Sequence, residues 1–327
     1  MDEARERRLL RLFERALDRP VAERDEWIRR ACADDAELLD RLRGLLAADA
    51  DGDDPLHAAV RDGAAALERD RAGAGWRLGA WRLIEEIGRG GMGTVFLAER
   101  ADDEYRQRAA VKLIRGFPDP DRLERLRTER QILAELRHPA ICTLLDGGTT
   151  DDGEPWLAME YIDGVPIDAW CAERGLGQAR RIDLLLRVVR AVEFAHEHLV
   201  IHRDIKPGNV LVTGGGEPKL LDFGIARLTE PGVADDGQTR TRYYTPDYSS
   251  PEQIEGRAIS TRSDVFSLGR LVEAVLTAGG RALAREPAAI VERATAPRPA
   301  DRYAGADALA ADLERWRDGR PVEALSG

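Results

Sequence analysis

Of the 49 basic residues in this chain only three are lysines, Lys112, Lys206 and Lys219, and Asn209 is the sole asparagine. A composition that has replaced Lys by Arg and removed Asn almost everywhere draws attention to the survivors, because a compact ammonium and a planar guanidinium do different chemistry. Lys206 and Asn209 lie three apart in Ile201-His202-Arg203-Asp204-Ile205-Lys206-Pro207-Gly208-Asn209-Val210-Leu211, and Asp222-Phe223-Gly224 begins thirteen residues after Asn209. Upstream, Gly88-Arg89-Gly90-Gly91-Met92-Gly93 has the spacing GxGxxG. Alone, that spacing serves a dinucleotide-binding turn or an ordinary glycine hairpin as well. The dinucleotide version opens a helix, whereas Thr94-Val95-Phe96-Leu97 reads as a strand. The favoured reading is therefore a hairpin that folds over phosphates and offers backbone N–H groups without side-chain obstruction. Lys112 sits in Ala109-Ala110-Val111-Lys112-Leu113, an apolar strand pattern, and reads as a cleft-wall lysine gripping phosphates. Such a lysine needs an anion, and Glu129, on the predicted helix that also carries Ile132, Leu133 and Leu136, is the expected partner.

The elements that must position these residues follow from periodicity. Leu9, Leu10, Leu12, Phe13, Ala16 and Leu17 have helical spacing, ended by Pro20. A second helix carries Trp27, Ile28, Ala31 and Cys32, and a third starts at Asp34 or Asp35 as N-cap and carries Leu38, Leu39, Leu42, Leu45 and Leu46. Residues 1–48 thus read as a small helical bundle, and 49–75, rich in Asp, Ala and Gly, as a linker. From Trp76 the pattern changes: strands at 81–87, 94–99 and 109–114, a helix at 121–137, strands at 143–149 and 155–161, and mostly helix after Gly164. A strand-rich part followed by a helix-rich part predicts an α+β fold of two lobes with a cleft between them.

Composition narrows the setting. Hydrophobic residues form 43% of the chain, enough for a sizeable core. Cys32, Cys142 and Cys171 lack CxxC spacing, which argues against a zinc site and fits a reducing compartment. A net charge of −11 argues against nucleic acid as a partner. The start, MDEARERR, has no apolar signal-peptide core, and no uncharged run approaches the ~18 residues of a membrane span. A cytoplasmic location is the expectation.

The catalytic-loop segment 201–211 with Asp222-Phe223-Gly224 resembles the protein kinase family, and the resemblance extends over residues 81–318. It implies a bilobal kinase fold, a small β-rich lobe and a larger helical lobe at 76–320, preceded by the helical bundle and followed by a tail at 321–327. It implies ATP as phosphate donor and Mg²⁺ (Mn²⁺ as the alternative ion), with proteins bearing Ser/Thr hydroxyls as substrates. Asp204 would orient the substrate hydroxyl and take its proton, Lys206 would neutralise the transferring phosphoryl group, and Asn209 and Asp222 would bind the metal. Lys112 would hold the α- and β-phosphates with Glu129 behind it. Ile87, Gly88, Arg89, Gly90, Gly91, Met92, Gly93, Thr94 and Val95 would cover the nucleotide. Met159 would back the adenine pocket, the backbone of Glu160 and Ile162 would bond adenine, and Val95, Ala110 and Leu211 would sandwich the ring. Lys206, two after Asp204, and Thr245 resemble the Ser/Thr rather than the tyrosine subclass. Thr239 and Thr241 are the expected autophosphorylation sites, able to pair with Arg203. Ser250-Pro251-Glu252 stands where the family usually has Ala-Pro-Glu, with Glu252 expected to pair with Arg302. Residues 263–269 resemble the buried helix under the catalytic loop. Residues 1–48 resemble the segment that precedes the kinase domain in many bacterial Ser/Thr kinases, which often continue into a membrane helix; an unrelated regulatory bundle is the alternative. A pseudokinase or a small-molecule phosphotransferase are the competing readings of the whole. The first would normally have lost one of Lys112, Asp204, Asn209 and Asp222; the second usually lacks the long 222–252 segment.

Finally, 37 residues lie between Asp264 and Arg302, fewer than the family usually places there. With a helix at 267–276 and another at 288–296, the stretch 277–286 is too short for a further helix with its loops. The expectation is a trimmed lower lobe, with one short helical turn at most between Gly279 and Glu286.

Overall fold

The computed structural model describes residues 75–90, 93–102, 104–114, 130–150, 153–223 and 246–325, and, in the first 46 residues, positions 9, 12, 16, 19, 21–32, 35, 38–43 and 46. Two compact units result, Met1–Glu85 and Glu86–Gly327.

In the first unit, helix α1 (Val21–Ala31) contributes Ile28 to a buried cluster with Leu9, Leu12, Ala16, Cys32, Leu38 and Leu42. The intervals 9/12/16 and 38/42 keep these side chains on single helical faces. Asp35 is the N-cap of the third segment: its Oδ1 accepts the Leu38 N–H at 3.0 Å. Strand β1 (Arg77–Leu78) pairs antiparallel with the first half of β2 (Trp81–Gly90), Leu78 opposite Trp81.

In the second unit, β3 (Gly93–Arg100), β4 (Arg108–Ile114), β6 (Pro155–Glu160) and β5 (Leu144–Thr149) neighbour one another in that order, all antiparallel. The register sets Val95 opposite Lys112 and Lys112 opposite Leu157, and Leu97 opposite Ala110 and Ala110 opposite Met159. Because side chains alternate along a strand, Val95, Ala110, Lys112 and Met159 share one face of this sheet. Gly93, at φ 145°, is required by packing: a Cβ there would lie 1.9 Å from the Leu113 carbonyl oxygen.

A second sheet, β7 (Gly164–Pro166), β8 (Val210–Thr213) and β9 (Pro218–Leu220), carries Leu211 opposite Lys219. Around it pack α2 (Ile167–Glu173), α3 (Gln178–Glu197), α4 (Pro251–Ile254), α5 (Thr261–Thr277), α6 (Arg285–Ala294) and α7 (Ala306–Arg317). Buried apolar residues of α3, among them Leu185, Val188, Val189 and Val192, and of α5, among them Val265, Leu268 and Val272, lie at the centre of one continuous core. Ser260 starts α5 with a capping box closed by Ser263. Val322 is buried in the same core, and the buried Asp312 accepts the N–H groups of Glu323 and Ala324 at 2.6 and 3.0 Å.

Residues 278–284 contain a turn and no helix, and Gly279 and Gly280 take φ values of 80° and 78°. The helix expected at 288–296 spans Arg285–Ala294 instead, so Pro287 lies inside its first turn. Arg181 of α3, 1% exposed, meets this region with carbonyls alone among the described residues. It donates to Leu176 O (2.9 Å), Cys171 O (3.1 Å), Val275 O (2.5 Å) and Ala278 O (2.9 Å).

Candidate active site

The segment 201–209 is held from below by one buried carboxylate. Asp264, in the first turn of α5 and fully buried, accepts the His202 N–H at 2.7 Å, the Arg203 N–H at 2.8 Å and a bond from His196 Nε2 at 2.8 Å. Burial alone would raise the Asp264 carboxyl, but the His196 bond and the backbone N–H groups keep it below the usual carboxylate range. Arg203 sits at φ 72°, a left-handed conformation costing ~1–2 kcal/mol for a residue with a Cβ. The two charge-assisted bonds to Asp264 bracket it, and Gln253 Nε2 donates to its carbonyl at 2.8 Å.

That bent segment delivers Asp204. Its Oδ2 receives Lys206 Nζ at 2.9 Å and Asn209 Nδ2 at 2.9 Å, and Asn209 Nδ2 also donates to the Asp204 carbonyl at 2.7 Å. Both cross-links use Oδ2, so among the described residues Oδ1 is the oxygen left to accept an incoming hydroxyl. His202 ties this loop to the next motif. Its Nε2 bonds the Leu221 carbonyl at 2.8 Å, its Nδ1 accepts the Asp204 N–H at 3.3 Å, and its ring packs on Phe223 with centroids 4.5 Å apart. The Leu221 N–H in turn donates to the Asn209 carbonyl at 2.8 Å.

Asp222, at φ 59°, pairs its Oδ2 with Lys112 Nζ at 2.8 Å across 110 residues of chain. The Lys112 side chain is 6% exposed and that of Asp222 26%. The anion holding Lys112 among the described residues is thus Asp222; Glu129 lies outside them. Oxygen donors from Asn209 and Asp222 suit a hard divalent cation, which keeps water and phosphate oxygens in the rest of its shell. Asn209 Nδ2 is taken up by Asp204, so its Oδ1 is the atom available for that purpose.

Met159 and Asp222 line one small cavity together with Cys142, Leu157 and Phe223. The carbonyl of Glu160, next to Met159, accepts the Cys142 Sγ–H at 3.3 Å. Burial first, then the Glu160 and Asp222 carboxylates, push the Cys142 thiol up to about 12, so it is protonated and donates. Ile87 is exposed, and Arg89 is bonded to Glu86 at 2.6 Å. Gly91, Met92, Thr239, Thr241 and Thr245 lie outside the described residues.

The pair expected from sequence beneath this site is present: Arg302 Nη1 and Nη2 meet Glu252 Oε1 and Oε2 at 2.6 and 2.8 Å, both side chains almost wholly buried. Sequence reasoning passed over Gln253, His202 and Cys142, which act through backbone bonds that no residue pattern announces. Lys219 was conspicuous only by its rarity; in the fold it holds Glu160.

Residues 81–291 match the protein kinase domain family model. Among curated relatives, the serine/threonine-protein kinase PknB of Mycobacterium tuberculosis is 34% identical over 280 residues, covering 75% of this chain and 44% of that protein. A probable serine/threonine-protein kinase of Streptomyces coelicolor is 33% identical over 284 residues, 76% of this chain and 41% of that protein. This chain therefore spans less than half the length of these relatives. The crystal structure of the M. tuberculosis PknI kinase domain aligns with a TM-score of 0.58 at 25% identity, over 76% of this chain and 99% of that one. A family match across most of the folded chain, the shared architecture and the tie between the 204–209 segment and the segment whose Asp222 holds Lys112 lead to one conclusion: the chain belongs to the protein kinase domain family.

Proposed function

We propose that this chain is a serine/threonine protein kinase that transfers the γ-phosphate of ATP to Ser or Thr hydroxyls of proteins. The observation carrying this reading is the cross-linked carboxylate of Asp204, bonded to Lys206 and Asn209 at 2.9 Å each, beside the Lys112–Asp222 pair. A pseudokinase has no use for that complete set. Asp204 Oδ1 orients the acceptor hydroxyl and takes its proton. Lys206 lies against Asp204 and faces the negative charge of the phosphoryl group in flight. Lys112 holds the α- and β-phosphates, exchanging part of its bond to Asp222 for phosphate oxygens. Asn209 and Asp222 are the Mg²⁺ ligands, and the ion, when bound, neutralises charge on the phosphates.

The wider assignment belongs to the same proposal: two lobes at 76–320, a small sheet-bearing lobe and a larger helical one, with a helical bundle at 1–48, a linker at 49–75 and a tail at 321–327. The shared face of Val95, Ala110, Lys112 and Met159 supports an adenine and phosphate surface on the small lobe, closed by Leu211 from β8. Glu160 and Ile162 bond adenine through their backbone, residues 87–95 cover the phosphates, and Glu129 backs Lys112. Thr239 and Thr241 are the phosphate acceptors of the activation segment, and Thr245 packs toward Asp204 and Lys206. Among the described residues no helix is long and apolar enough to cross a membrane. The net charge of −11 supports protein rather than nucleic-acid partners, and the proposed location is the cytoplasm.

The test is incubation of the purified chain with labelled ATP, Mg²⁺ and a generic basic protein, beside Asp204→Asn. Phosphoserine and phosphothreonine should form with the wild type and fall by orders of magnitude in the variant. Equal labelling by both proteins, or none by the wild type, overturns the reading.

A further inference from the structure

We propose that Lys219 is a positioning residue for nucleotide binding, which fixes the Glu160 end of β6 through an ion pair; this rests on the reading of the Glu160–Ile162 backbone as the adenine-bonding edge. Lys219 Nζ lies 3.0 Å from Glu160 Oε1 and 2.9 Å from Oε2, joining two residues 59 apart in sequence. The lysine projects from β9, where it stands opposite Leu211 of β8, the residue assigned to the underside of the adenine ring.

Every polar group of Glu160 is taken. Its N–H donates to the Thr143 carbonyl at 2.9 Å, and its Oε2 accepts the Thr143 N–H at 3.4 Å. Its carbonyl accepts the Cys142 thiol at 3.3 Å. Residues 142–143 are themselves fastened to β9, since the Cys142 N–H donates to the Leu220 carbonyl at 2.9 Å. Two adjacent residues of β9, Lys219 by its side chain and Leu220 by its backbone, thus hold both the end of β6 and the strip that flanks it. The thiol is a weak donor and the carbonyl has a second lone pair, so the Glu160 oxygen keeps capacity for a stronger donor such as an adenine amino group. Among the described residues, the ion pair is the one contact of this clamp made between two charged groups.

The bland alternative is a surface ion pair of little consequence, since the Glu160 side chain is 36% exposed. Three observations weigh against it. The Lys219 side chain is only 17% exposed. Its ammonium engages both carboxylate oxygens. And it is one of three lysines in a chain that uses arginine for its other basic positions. A clamp that acts on the adenine edge alone has a distinctive consequence: affinity for adenosine should respond to it, and affinity for a phosphate chain should not.

The experiment is calorimetric titration of the full chain with two separate probes, adenosine and inorganic tripolyphosphate, for wild type, Lys219→Met, Lys219→Arg, Glu160→Gln and the double variant Lys219→Met/Glu160→Gln. Lys219→Met and Glu160→Gln should each weaken adenosine about three- to fivefold, the range open to a partly exposed ion pair. Tripolyphosphate affinity should stay at the wild-type value. The double variant should be no worse than either single one, because the two residues act as one unit. Lys219→Arg, which keeps the charge, should recover part of the loss. In turnover assays KM for ATP should rise by the factor seen for adenosine, with a smaller change in kcat. Unchanged adenosine affinity in Lys219→Met, or equal weakening of both probes, overturns the inference while leaving the kinase reading intact. A wild-type chain that binds neither probe overturns the nucleotide reading and this inference with it.

Discussion

Replacing Arg302 by methionine tests how the floor of the catalytic loop is built. The guanidinium makes two bonds to Glu252 at 2.6 and 2.8 Å and three to carbonyls, Ala296 O at 2.8 Å, Arg262 O at 2.9 Å and Pro297 O at 3.1 Å. Glu252 keeps one other side-chain donor, Ser263 Oγ at 2.7 Å. Burial by itself would raise the Glu252 carboxyl, but the bonds from Arg302 and Ser263 hold it down at about 2, against an ordinary 4.5. That difference corresponds to ~3 kcal/mol at neutral pH. The range of ~3–5 kcal/mol for stranding one member of a buried pair agrees with it. Urea unfolding of wild type and Arg302→Met near pH 7 should show a loss of that size. The sign of the pH dependence follows from the direction of the shift. In the wild type the folded value lies below the unfolded one, so the contribution is complete above about pH 4.5 and is lost as pH falls toward about 2. In the variant the unpaired buried carboxyl titrates above its unfolded value, so its penalty is largest at neutral pH and fades on acidification. The gap between the two proteins should therefore narrow from about pH 7 to about pH 4. A loss under about 1 kcal/mol, or a gap that does not change with pH, would refute the reasoning.

Lys112→Met should leave the fold intact and reduce phosphoryl transfer roughly 10²- to 10³-fold, and arginine should fail there too because its planar fork points its donors differently; a variant of wild-type turnover excludes the role of Lys112. Thr239 or Thr241 should carry phosphate after incubation with ATP, adding about −1.5 to −2 charges within reach of an arginine, and mass spectrometry of active enzyme with both threonines unmodified rules this out.

The strands and the chemistry-bearing motifs were legible because each rests on a local signal. Alternation marked β3, β4 and β6 to within a residue or two, and the lysine between small and β-branched residues marked the cleft wall. Glycine was easier to locate than to interpret: Gly93, read as part of the phosphate cover, is required first by the Leu113 carbonyl beside it. Long-range partners were less legible. Asp222, read from sequence only as a metal ligand, also pairs with Lys112, a contact set by strand register and a left-handed turn at Asp222; Glu129, the expected companion, lies outside the described residues. Helix ends were shifted as well. The segment expected to begin at Ala288 starts at Arg285, since proline is tolerated anywhere in a first turn where its missing N–H has no partner to lose. The N–H groups that donate to Asp264 and the clamp on Glu160 are long-range contacts, and their specificity lies in three-dimensional placement rather than in residue type.

Arg181 gives the shortened 278–284 connection a property of its own. Its guanidinium cancels the negative ends of α2 and α5 by bonding Cys171 O and Val275 O, and pins the chain where it leaves α5 by bonding Ala278 O. At the far side Pro287 is buried in the first turn of α6. The exposed residues 279–282 thus form a stretch anchored at both ends, and lengthening it changes little beyond loop closure, about 0.6 kcal/mol per doubling. It is a permissive insertion point: a new recognition module could be grafted there, by evolution or by design, without disturbing the buried helices that carry the catalytic loop.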